Sequence, residues 1–130
     1  AAGLEEIRQT AAAAGRELPA DFDVAPQFSI APGKDTRSAL AAFESSQLAN
    51  HMRSLSKTTL KDQQDDWVNR NLVGNHEQML DQIRAYAAAG VTTMSALLFA
   101  CNTVEETLDM MADFAENVMQ PYGREIGQLP

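Results

Sequence analysis

Between residues 72 and 122 the apolar positions change period twice. Met79, Leu80, Ile83, Tyr86 and Ala87 recur at helical spacing, Gly90 stops that run, and the short apolar stretch 91–99 follows as a strand. A last helix is expected from Thr103, with Val104, Leu108, Met111, Ala115 and Val118 as its buried face and Pro121 just past its end. Asn75 with Gln78, and Thr103 with Glu106, have the three-residue spacing of capping boxes, which fixes both helix starts locally. A strand that turns apolar toward its end and lies between two helices has the pattern of a parallel strand covered on at least one face.

Upstream, Leu4, Ile7, Ala11 and Ala14 predict a helix over 4–14 that ends at Gly15. Phe22, Val24, Phe28 and Ile30 alternate, so 22–31 reads as a strand, and Pro32-Gly33 closes it like a turn. Pro26 lies inside that stretch and cannot donate to a ladder, which predicts an edge, a bulge or an interruption there. A second helix starts at Asp35 or Thr36 and runs through Glu44 toward Leu48 and Met52, with polar Gln47 weakening its stripe. Residues 53–72 then read as a loop-like insertion, most polar over 53–66. The run Leu4-Glu5-Glu6-Ile7-Arg8 before Gly15 is echoed by Leu80-Asp81-Gln82-Ile83-Arg84 before Gly90. Such an echo predicts successive turns of a β/α architecture, about two parallel strands with four helices in one domain spanning 1–130.

Composition narrows the function classes. Ten Lys and Arg against 18 Asp and Glu give a net charge of −8, which repels a phosphate backbone and makes nucleic acid an unexpected partner. No stretch approaches the roughly 18 apolar residues of a membrane span, and 1–6 lacks the features of a signal peptide, so a cytoplasmic protein without membrane contact is expected. The first residue is Ala, so a trimmed or partial chain is also expected. Cys101 stands alone, without partners for a disulfide or a zinc cluster, and is expected as a small buried hydrophobe. His51 and His76 are the two histidines, with no tight spacing to carboxylates, and no metal site is predicted.

Three segments carry a resemblance. Val73-Gly74-Asn75-His76-Glu77-Gln78-Met79, Ala85-Tyr86-Ala87-Ala88-Ala89-Gly90-Val91 and Phe114-Ala115-Glu116-Asn117-Val118-Met119-Gln120-Pro121 occur in the order of a family pattern. Ala11-Ala12-Ala13-Ala14-Gly15-Arg16 extends it upstream, and together they resemble the C-terminal part of bacterial luciferase-like, flavin-dependent monooxygenases. Asn75-His76 stands where that family has Thr-Pro, and Gln120 is inserted before Pro121, so these positions take no role from it. The resemblance implies a partial (β/α)8 TIM-barrel segment. It also implies FMN or a deazaflavin bound by the complete protein, a small organic substrate, and the remaining part of the barrel as the partner. The family's flavin-phosphate segment lies upstream of this region, so the segment alone is expected to bind no cofactor and to be catalytically silent.

In a β/α barrel functional groups gather at the carboxyl ends of strands. This rule selects 29–34, 74–76 and 100–103 as three patches of one rim, with Asn75, His76 and Asn102 as the cofactor-binding candidates. Asn75 opens a helix whose free N–H groups could hold an anion, unless Asn75 itself caps them. His76 could act as an acid, a base or a hydrogen-bond donor near a flavin, or be a plain surface residue. The polar stretch 53–66 could close over the rim as a lid. A reading from another class is a non-enzymatic assembly module, in which exposed sheet edges and apolar helix faces pair with a second copy of the chain.

Overall fold

The computed structural model describes residues 2–58 and 70–130. Three strands, β1 (Gln27–Pro32), β2 (Leu72–Gly74) and β3 (Ser95–Phe99), form one parallel sheet of order β2-β1-β3. The helices are α1 (Ala2–Ala13), α2 (Thr36–Glu44), α3 (Gln47–Ser56), α4 (His76–Ala88) and a closing run. That run consists of α5 (Val104–Phe114), a π turn (Ala115–Met119) and α6 (Gln120–Glu125). The α/β class and the parallel pairing agree with the sequence pattern. Among the described residues there are one more strand and, with the closing run taken as one, one more helix than that pattern predicts, and the sheet is open.

The order β2-β1-β3 decides how the layers form. Successive strands of a barrel arc are neighbours, whereas here the chain leaves β2, runs through α4 and returns on the far side of β1. Side chains alternate along β1 and β2, so Ile30 and Leu72 point to one face and Ala31 and Val73 to the other. On the first face Ile30 and Leu72 pack with Met79 and Ile83 of α4 and with Phe114 and Val118 of the closing run. On the second, Ala31 and Val73 pack with Ala39 and Phe43 of α2 and Ala49 of α3. Because both faces of the sheet are covered, β1 and β2 can be apolar at consecutive positions.

Pro26 delays the pairing rather than placing the strand at an edge: β1 starts one residue later and is the central strand. Beside it the register slips. Gln27 faces Ser95 but Ser29 faces Leu98, so β3 carries an extra residue, and Ala96 takes a positive φ of 47° to absorb it. The chain before Pro26 is still tied down, since the Asp23 carboxylate accepts hydrogen bonds from the hydroxyls of Thr92 and of Thr93 (2.7 Å). These bonds hold Asp23 below the usual carboxylate range.

The expected second helix is two helices. Ser46, fully buried, donates its hydroxyl to the Phe43 carbonyl (2.6 Å) and accepts from the Ala49 N–H (3.1 Å), ending one helix and capping the next with one side chain. Consequently 53–56 belong to α3, 72 belongs to β2, and the rest of the loop-like insertion lies largely in 59–69, outside the described residues. β2 itself escapes a pattern reading because three residues show no period.

The closing helix differs most from expectation. It does not stop at Pro121; the Gln120 N–H bonds five residues back to Ala115 through the π turn, and α6 continues across the proline. A proline at an α position would clash with the carbonyl four residues earlier, and a widened turn gives that carbonyl room. The extra residue also rotates the face. Val118 is buried as expected, but Val104 is 77% exposed, Leu108 60% and Met111 49%, while Phe114 sits in the core. The first part of the predicted stripe, Val104, Leu108 and Met111, therefore faces outward, while Ala115 is half-buried and Val118 buried.

Across the π turn, α6 is held to α4 by charge. Arg84 donates to both Glu125 carboxylate oxygens, the closest contact being 2.6 Å, and to Asp81 at 2.8 Å. The hydrogen bonds from Arg84 hold Glu125 below its ordinary value of 4.5. A depressed carboxylate stabilises the fold above its unfolded value and loses that contribution as pH falls through the folded one. Protection factors of the amides in 120–126, taken against the intrinsic exchange rate at each pH, are thus expected to fall on acidification below about pH 4.5, and Glu125→Gln should show the lower protection already at neutral pH.

Candidate functional site

The carboxyl ends of all three strands meet at one edge, as the strand-end rule expects. Pro32 is level with Gly74, the Gly33 N–H donates to the Gly74 carbonyl (2.9 Å), and the Ala100 N–H donates to the Ile30 carbonyl (2.9 Å). The chain leaves β1 toward one face of the sheet and β3 toward the other. In open α/β sheets this divergence is where a ligand crevice forms.

Asn75 is used as a cap. Its side-chain oxygen accepts from the Gln78 N–H (2.9 Å), and the Gln78 side chain accepts from the Asn75 N–H (3.0 Å). Gly74 makes this possible with a φ of +132°, which a side chain rarely tolerates. Asn102 is also committed. Its side chain accepts from the Gln47 N–H (2.9 Å), its carbonyl accepts from the Gln47 side chain (3.0 Å), and its own N–H donates to Glu106 (2.7 Å). These bonds join the end of β3 to the start of α3 and span the crevice between the two faces. Asn102→Ala is expected to lower stability by about 1 kcal/mol, the net worth of such a hydrogen bond, measurable by urea unfolding.

His76 is the candidate with a free chemical end. As the first residue of α4 it places Nε2 2.7 Å from the Asp113 carboxylate, whose other oxygen accepts from the Asn117 side chain (2.8 Å). A carboxylate accepts, so this contact places a proton on Nε2 and leaves Nδ1 as the ring nitrogen without a partner among the described residues. Both side chains are a little over 40% exposed, 44% and 43%. A histidine held by a carboxylate in this way can take a proton from a bound group. Asp113 and Asn117 were not singled out in the sequence, although their i,i+4 spacing one helical turn apart is a visible signal.

The helix starts along this edge repel anions or are filled. Asp35 caps α2 and is held below the carboxylate range by the Ser38 N–H and hydroxyl. Thr103 and Glu106 close α5, and Asn75 closes α4. A cofactor phosphate would meet a carboxylate at two of the three. Cys101, expected as a buried hydrophobe, is only half-buried and lies 2.8 Å from the Thr107 hydroxyl. His51 lines a separate hollow of about 670 Å³ between α3 and β1, together with Ser29, Met52 and Arg70. The proposed lid falls mostly on 59–69, outside the described residues. Among the described residues no three His, Cys, Asp or Glu side chains gather around a metal-sized space, and no helix is long and apolar enough to cross a membrane.

Comparison with family models, with curated proteins and with solved structures finds no match to this chain.

Proposed function

We propose that this chain is the C-terminal part of a flavin-dependent, luciferase-like oxidoreductase acting on a small organic substrate, with FMN or a deazaflavin bound by the complete protein. The observation that carries the reading is where the resembling segments fall. Val73-Gly74-Asn75 is the end of a strand running into a capped helix, Ala89-Gly90-Val91 is the turn into the last strand, and the segment 114–121 lies in the closing helix. The helix start and the strand entry fall where the resemblance implies them, while the closing helix runs on past Pro121 to Glu125 instead of ending there. In this proposal the chain contributes His76 and Asp113 at the strand-end rim, and upstream residues hold the flavin phosphate, since the helix starts here are capped or acidic. A complete barrel would need β3 to pair with β2 rather than with β1. The flavin would carry the electrons, and His76 would position or deprotonate substrate.

The test is flavin binding by the longer parent chain beside these 130 residues. Quenching of FMN fluorescence by the parent and none by the segment is the expected pair of results. A parent that binds neither FMN nor a deazaflavin would end the reading. A second reading, a non-enzymatic assembly module, is favoured by one specific observation, the outward apolar stripe of α5.

A further inference from the structure

The stripe of Val104, Leu108, Met111 and Met119 lies on one side of the closing helix and meets no other part of the described fold well enough to be covered. Over these 16 residues it extends about 22 Å, the length of a short partner helix. A surface of this kind on a soluble chain marks a contact site. Two of its four residues are methionines, whose flexible side chains adapt to a partner's shape.

Charge selects the occupant. From residue 104 to residue 119 the chain carries five acids and no Lys, Arg or His. Glu106 is committed to the cap and Asp113 to His76, which leaves Glu105, Asp109 and Glu116 exposed along the flank of the stripe. A second copy docked through the same stripe would set these acids against their own counterparts, and like charges across an interface are repulsive. An anionic membrane surface would be repelled for the same reason.

We infer that the outward face of α5 is a docking site for an amphipathic helix whose apolar ridge is flanked by Lys or Arg. The helix lays its ridge along Val104, Leu108, Met111 and Met119, and its basic flank pairs with Glu105, Asp109 and Glu116. The inference keeps the assembly reading's apolar helix face but replaces the second copy with a basic partner helix, and it stands apart from the flavin reading. A failed flavin titration leaves it intact, and its own failure leaves flavin binding intact.

The probe is a fluorescein-labelled amphipathic peptide of Leu and Lys, with a matched Leu and Glu peptide as control, titrated with this chain and read by anisotropy. The Lys peptide is expected to bind with an affinity that falls as salt rises, and the Glu peptide is expected not to bind. Leu108→Ser with Met111→Ser should weaken binding at least tenfold while the circular dichroism spectrum stays unchanged, because both side chains already face outward. Reversing Glu105, Asp109 and Glu116 to Lys should transfer binding to the Glu peptide. Absent binding, equal binding of the two peptides, or binding unaffected by the serine pair would each overturn the inference. So would a dimer of the chain that Leu108→Ser disperses, which would make a second copy the occupant.

Discussion

Phe28→Ala is expected to remove about 4 kcal/mol of folding stability, a large part of what a domain of this size possesses. Phe28 is 1% exposed on the central strand, and its ring meets the Tyr86 ring edge-on at 4.7 Å. The loss has two parts, the transfer of the side chain's apolar surface and the cavity left between β1 and α4. Urea unfolding should show a lower midpoint with an unchanged slope. The instructive control is Val104→Ser. Sequence periodicity assigns Val104 to the core, whereas its exposure predicts a change within about 0.5 kcal/mol. Comparable losses in the two variants would contradict the rotational setting of α5.

Gly74→Ala is expected to cost about 3 kcal/mol, through two effects at one residue. The φ of +132° belongs to a region that L residues avoid, at a cost of about 1–3 kcal/mol. A methyl group there would also overlap the Gln78 side-chain oxygen, which must then leave its bond with the Asn75 N–H. The helix start loosens as a result, and His76 is its first residue. Two measurements separate these effects. The penalty should be smaller in a Gln78→Ala background, where the contact and the capping box are already gone. The imidazole proton resonance of His76 should also lose the downfield position given by its bond to Asp113.

Much of this fold was legible. The capping boxes at Asn75 and Thr103 are written in consecutive residues, so they can be read without tertiary information. The helix over Met79 to Ile83 and the apolar strand before Ala100 were legible for the same reason, since each is long enough to show its own period. β2 has three residues and shows none. The rotation of α5 was illegible because two apolar sets coexist on that helix, and the π turn over Ala115–Met119 decides between them by adding a residue to one turn. Of the rim candidates, His76, Asn75 and Asn102 all lie at the strand-end edge; Asn75's capping role is readable from its spacing to Gln78, whereas the bonds of Asn102 to Gln47, 55 residues away, are not. The pairing of Asp113 with His76, 37 residues away, is set by tertiary contact that its local spacing to Asn117 does not encode.

Strand order depends on contacts that no local pattern encodes. Gln82 donates to the Val73 carbonyl (3.1 Å) and accepts from the Val73 N–H (3.0 Å), so a side-chain amide occupies the outer edge of β2 as a further strand would. With that edge occupied, β3 pairs on the opposite side of β1. Gln82 reads in sequence as a polar residue on a helix, and nothing in its spacing announces the role.

The sheet order β2-β1-β3 is the claim on which the layers, the rim and the exposed stripe all rest. Through-hydrogen-bond couplings in an isotope-labelled sample test it most directly. The order β2-β1-β3 requires a coupling from the Ala100 N–H to the Ile30 carbonyl, together with one from the Gly33 N–H to the Gly74 carbonyl. Couplings that instead join the strand at 95–99 to Leu72 and Val73, with Ile30 bonded to neither, would contradict it.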